Sequence, residues 1–109
     1  MATNASAVLE ALGDPTRRLM LERLAVSPCA VGELAAAMPI SRPAVSQHLR
    51  VLKDAGLVRD EARGTRRYYA VAPEGVEALR RYVERLWTTA LSSYADVAEA
   101  ASTEEEEST

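Results

Sequence analysis

The sequence predicts a mainly α domain carrying one small β-hairpin, with elements in the order ααααββα. Three observations predict it. Helix-stopping and helix-starting residues recur at short intervals through the first half, at Gly13, Asp14-Pro15, Ser27-Pro28, Pro39 to Ser41 and Gly56. After Gly56 the pattern changes to strand-favouring residues on either side of Gly64. From Pro73 onward apolar residues return at three- and four-residue steps and persist to Val97.

Each element has a local cause. The first helix is expected over 6–12, with Val8, Leu9 and Leu12 apolar and Gly13 as its stop. Asp14 followed by Pro15 reads as an N-cap and a proline at the first helical position. The second helix then reaches Val26, with Leu19, Met20 and Leu24 expected inward and Arg17, Arg18, Glu22 and Arg23 outward. A short alanine-rich helix covers 31–37 around Leu34. Ser41 can cap a fourth helix over 42–55, whose first turn tolerates Pro43 and whose buried face is Val45, Leu49 and Leu52. Helices three and four, joined by so short a turn, form a helix-turn-helix candidate. Residues 57–71 read as a hairpin in which Gly64 supplies positive φ at a basic tip.

The 109 residues make one domain over 1–99, followed by an acidic tail at 100–109. That tail holds the run Glu104–Glu107 and no apolar anchor beside it, so it is expected to be disordered. The net charge of −3 speaks against a nucleic-acid partner only until its distribution is examined, because without those four acids the balance is +1. Between Ser41 and Tyr68 seven bases face three acids, and local charge is what a phosphate backbone meets. One cysteine, Cys29, excludes an intrachain disulfide. No apolar run approaches the roughly 20 residues of a membrane span. The N-terminal stretch lacks the basic residue of a signal peptide, so a cytoplasmic protein is expected. One His and one Cys, with no glycine-rich phosphate loop, leave no recognisable nucleophile–base pair, so no enzyme activity is expected.

Helix-turn-helix followed by a basic hairpin is the layout of a winged helix-turn-helix, in which one helix enters the major groove of DNA and the wing lies beside it. With its apolar face buried, the fourth helix leaves Arg42, Ser46, Gln47 and Arg50 outward; Arg pairs bidentately with guanine and Gln with adenine. Arg63, Arg66 and Arg67 at the hairpin tip would meet a phosphate or the minor groove. Ser41, Pro43 and Thr65 complete the candidate DNA-binding set.

The segments Ala11 to Arg18, Val31 to Ala35, Ser41 to Leu52, Ala55 to Val58, Gly64 to Tyr69 and Pro73 to Gly75 resemble the ArsR/SmtB family of bacterial repressors. The resemblance covers residues from about 6 to 97. It implies a homodimer packed through the first and last helices, with Val8, Leu9, Leu12, Leu86, Trp87, Leu91 and Tyr94 as interface residues. It also implies binding to a DNA operator near the protein's own promoter, with release on a signal, and places Arg42, Pro43, Ser46 and Gln47 at the DNA surface; a two-fold dimer is expected to read a pseudo-palindrome. Many relatives hold a metal through a Cys-Val-Cys box, but the matching triplet here is Ala30-Val31-Gly32, so neither a metal nor another cofactor is expected. The sequence identifies no effector. Two alternatives accompany this reading: a winged-helix module for protein contacts without specific DNA binding, and a thiol-responsive repressor using Cys29, whose thiolate a helix N-terminus would stabilise. His48 is expected to be partly packed or close to DNA rather than a metal ligand.

Overall fold

The computed structural model describes residues 4–107, and side chains of 4–102; residues 108–109, the end of the predicted acidic tail, lie outside the described residues, as do 1–3. The elements are α1 (Ala5–Ala11), α2 (Pro15–Val26), β1 (Cys29–Ala30), α3 (Val31–Ala37), α4 (Arg42–Asp54), β2 (Val58–Arg63), β3 (Arg66–Val71) and α5 (Pro73–Glu107). The chain divides into two compact units, Met1–Leu79 and Arg80–Thr109.

In the first unit the caps predicted at Asp14 and Ser41 form, and Asn4, not singled out in the sequence, caps α1. Asn4 accepts from the Ala7 amide at 2.8 Å, and Asp14 accepts from Thr16 at 2.7 Å and Arg17 at 3.3 Å. Ser41 accepts from the Ala44 amide at 3.3 Å. These side chains supply acceptors that the first turn of a helix lacks. Arg17 binds the preceding helix as well, donating from Nε to the Ala11 carbonyl at 2.6 Å, while Arg18 donates to the Leu12 carbonyl at 2.7 Å. The end of α1 and the start of α2 are thereby joined through carbonyls that α1 leaves unpaired.

The core gathers Val8 and Ala11 of α1, Met20 and Leu24 of α2, Leu34 of α3 with Met38 after it, Val45, Leu49 and Leu52 of α4, then Leu57, Val58 and Ala78. Two expectations are corrected here. Leu19 is 46% exposed, because the buried row of α2 is Met20 and Leu24, four residues apart, and Leu19 lies more than a quarter of a turn off that row. Val8, expected at an intermolecular surface with Leu9 and Leu12, is buried inside its own protomer, whereas Leu9 is 42% exposed and Leu12 half-buried.

The sheet has three strands in the order β1-β3-β2, all antiparallel, rather than two. The extra strand is only Cys29 and Ala30, paired with Tyr69 and Tyr68. Two residues cannot show an alternating pattern, and they are extended because β3 offers them an edge. In the hairpin Arg63 pairs with Arg66 across the two-residue loop Gly64-Thr65. Gly64 has φ +63°, as a type II′ turn requires of its first central residue.

α4 ends in a Schellman turn. The Gly56 amide donates to Lys53 and the Leu57 amide to Leu52, both at 2.9 Å, with Gly56 at φ +78°. The first turn of α5 docks on the same turn, the Gly75 amide donating to the Gly56 carbonyl at 2.9 Å. A Cβ on Gly75 would stand 2.6 Å from that carbonyl oxygen, so only glycine permits the approach. The hairpin is tied to α4 by Asp60, whose side chain is 8% exposed and is bridged by Lys53 at 2.7 Å and by Arg67. Lys53 first, then Arg67, hold its carboxyl below the usual Asp range, against the burial that pushes it up.

In the second unit α5 continues as helix, with every side chain from Arg80 to Ser102 exposed. Its backbone is helical through Glu107, where the sequence predicts a separate tail from residue 100; glutamate is a good helix former. Among the described residues no helix is long and apolar enough to cross a membrane.

Three outcomes follow in thermal and chemical denaturation. Gly75→Ala lowers stability by about 1–3 kcal/mol through a backbone clash that cannot relax cheaply. Gly64→Ala has open space around it and costs only about 1 kcal/mol for the left-handed backbone, and Gly64→Asn less. Asp60→Asn costs about 1 kcal/mol at neutral pH. Because the folded carboxyl is depressed, its contribution is complete above the unfolded value of about 4 and fades as the pH falls through the folded value. The gap between Asp60→Asn and the parent chain therefore closes on acidification; a gap that persists unchanged at low pH would remove Asp60 from this role.

Candidate nucleic-acid interface

α4 separates its residues cleanly. Val45, Leu49 and Leu52 are buried, and Arg42, Pro43, Ser46, Gln47 and Arg50 are exposed. Arg42, Ser46 and Arg50 form one row at four-residue spacing, with Pro43 and Gln47 in the row beside it, so the five make one continuous face. Ser41 precedes them at the N-cap, where its hydroxyl is committed to the helix. Among the described residues neither Arg42 nor Arg50 has an ion-pair partner, and both guanidiniums are available to a ligand.

On the wing each of the three arginines has an acidic or aromatic neighbour. Arg63 lies 3.8 Å from Glu61 and stacks over the Tyr68 ring at 5.0 Å. Arg66 stacks over the same ring at 5.4 Å and is ion-paired with Glu33 of α3, while Arg67 is ion-paired with Asp60. Tyr68 thus carries two guanidiniums on its π-system and holds them along the hairpin. Sequence reading missed Glu33, Asp60 and Tyr68 as members of this surface. The Asp60–Arg67 pair was within reach, since a two-residue loop at Gly64 sets Asp60 opposite Tyr69 and diagonal to Arg67. Glu33 was not, because its proximity to Arg66 depends on the two residues of β1.

Two hollows flank α4 on its way to the wing. One, of about 320 Å³, is lined by Gly32, Arg42, Thr65, Arg66 and Arg67 together with Ala30 and Val31. The other, of about 340 Å³, is lined by Ser46, Arg50, Lys53 and Tyr69 among others. Arg42 of α4 thus shares a hollow with Thr65, Arg66 and Arg67 of the wing, and Ser46 and Arg50 line the other, while Ser41, Pro43 and Gln47 line neither. Arg63 lines neither hollow.

His48 is half-buried, its Nδ1 3.5 Å from a guanidinium nitrogen of Arg17. Cys29 is half-buried in β1; burial, and then the carboxylate of Glu33, push its thiol up. A reactive thiol needs the opposite shift, so the local electrostatics disfavour thiolate chemistry at Cys29. Among the described residues no group of three or more His, Cys, Asp or Glu side chains could hold a metal ion.

On α5, Leu86, Trp87, Leu91 and Tyr94 are all exposed, Trp87 by 63%. Val83 and Val97 extend the same apolar series.

Comparison with known proteins identifies the frame. Residues 14–60 match the model of the bacterial regulatory protein, arsR family. The chain is 58% identical over 88 residues to the HTH-type transcriptional regulator Rv2034 of Mycobacterium tuberculosis, covering 81% of this chain and 82% of that one. It is 38% identical over 64 residues to the transcriptional repressor SdpR of Bacillus subtilis, covering 59% and 71%. Its fold matches the homodimeric winged helix-turn-helix DNA-binding domain of Mb0332 from Mycobacterium bovis, a possible ArsR-family regulator, with a TM-score of 0.61 and 30% identity over 77% of this chain and 76% of that one. With its helix-turn-helix, its wing and a relative this similar over most of both chains, the protein belongs to the arsR family of bacterial regulatory proteins.

Proposed function

We propose that the chain is a sequence-specific DNA-binding transcriptional repressor that acts in the cytoplasm as a homodimer on a pseudo-palindromic operator, including one near its own promoter. The observation that carries this reading is the exposed face of α4, where Arg42, Ser46, Gln47 and Arg50 stand opposite a fully buried apolar face. Such a helix fits the major groove, and its side chains match the hydrogen-bonding edges of guanine and adenine. The relatives named as a transcriptional regulator and a repressor support regulation rather than catalysis.

Two-fold assembly is supported by the homodimeric neighbour and by the exposed apolar residues Leu9 on α1 and Leu86, Trp87, Leu91 and Tyr94 on α5. Covering a row of this size removes an apolar surface larger than scattered exposed residues explain. A two-fold axis would set paired α4 helices in successive major grooves, roughly 34–36 Å apart. In this reading Gln47 and Arg50 contribute to base choice. Arg42 and the wing arginines supply mainly phosphate affinity, and Thr65 and Ser41 lie at its edge.

Selection of binding sites from a random duplex library tests the division of labour. Gln47→Ala relaxes preference at one base pair of each half-site by about 1–3 kcal/mol. Arg63→Gln weakens every sequence alike and flattens the salt dependence. If Ala at Arg42, Gln47 and Arg66 leaves DNA affinity untouched, the domain is instead a protein-contact module. Leu91→Glu shifts the protein from dimer to monomer in sedimentation while its circular dichroism is retained; a monomeric parent chain would overturn the assembly.

A further inference from the structure

We propose that the hollow lined by Gly32, Arg42, Thr65, Arg66 and Arg67 is the seat of one backbone phosphate of double-stranded DNA, and that Glu33 occupies Arg66 until that phosphate displaces it. The proposal rests on the reading of α4 and the wing as a DNA surface. Three arginines line one hollow of about 320 Å³, and Thr65, which lines it with them, carries a hydroxyl donor. Their carboxylate partners are not equivalent. Asp60, on Arg67, is almost fully buried and shared with Lys53, so it belongs to the scaffold. Glu33, on Arg66, is 48% exposed and has no second partner among the described residues. Arg42 has no carboxylate partner among the described residues.

Gly32 makes room for this arrangement. A Cβ there would stand 3.7 Å from the Arg42 guanidinium, and a longer side chain would fill the floor of the hollow. An exposed ion pair such as Glu33–Arg66 is worth little in water, whereas a phosphate on several arginines forms shorter, charge-assisted bonds. Exchange of the carboxylate for a phosphate is therefore favourable, but each binding event gives up the Glu33 contact and leaves that charge beside DNA. Arg66 is meanwhile held over the Tyr68 ring, already extended along the wing. Glu33 is accordingly a positioning residue: it keeps Arg66 ordered in the free protein and lowers affinity for every sequence, so that binding depends more on the bases read by α4.

Fluorescence anisotropy with the full chain and an arbitrary duplex of about 30 base pairs tests this at several salt concentrations. Glu33→Gln tightens binding by about 3- to 10-fold and steepens the salt slope by up to about one. Arg66→Gln weakens binding by a similar factor. In the Arg66→Gln background the gain from Glu33→Gln falls below about twofold, because the displaced contact is already gone. An equal gain in both backgrounds would show Glu33 acting only as a distant charge, and no gain in either would show no competition; each overturns the proposal. Loss of any effect of Arg66→Gln itself, with the circular dichroism of the variant intact, would instead overturn the reading of the wing as a DNA contact.

Discussion

The turn at Gly56 sets the geometry on which the other elements depend. α4 stops there because Gly56 adopts a left-handed conformation, and the Leu52 and Lys53 carbonyls are satisfied by the next two amides. Leu57, the residue after it, is fully buried and anchors the start of the hairpin. The same Gly56 carbonyl receives the Gly75 amide, and the Leu57 carbonyl receives that of Ala72. One turn thus orients the reading helix, the wing and the first turn of α5 at once. A side chain on Gly75 would clash with the Gly56 carbonyl, and one on Gly56 would strain its left-handed backbone.

Charge is organised on this frame so that the reading face and the wing play different parts. On α4, Arg42 and Arg50 are unpaired with any described carboxylate, and their orientation comes from the burial of Val45, Leu49 and Leu52 on the opposite face. On the wing the arginines are held by an aromatic ring and by carboxylates. Long side chains pre-arranged in this way lose less freedom on meeting a phosphate, although the carboxylates subtract from the attraction. Asp60, with its side chain largely covered, and the exposed Glu33 differ in what they serve: Asp60 keeps the hairpin against α4, and Glu33 is positioned to exchange.

Most of the fold was legible because its signals are local. Asp14-Pro15, Ser41, Gly56 and Gly64 each perform the capping or turning role their chemistry predicts. The apolar row of α4 was readable at four-residue spacing, and the outward face of Arg42, Ser46, Gln47 and Arg50 followed by elimination. The inward face of α2 was only partly legible. Leu19 and Met20 are adjacent and equally apolar, and choosing between them requires knowing where the neighbouring helices lie. Val8 and Leu9 pose the same problem on a helix of seven residues, too short for periodicity to separate its faces.

By itself the sequence determined the order of most elements, the caps and turns that bound them, and the basic character of the segment between Ser41 and Arg67, because those features depend on residues a few positions apart. Only the tertiary structure decided that Cys29 and Ala30 join the sheet, that Gly75 must dock on Gly56, and that Glu33 meets Arg66 across 33 residues of chain. These contacts come from surfaces brought together by burial of the core. An edge strand of two residues, a glycine needed for close approach and a cross-element ion pair carry no periodic signature from which they could be read in advance.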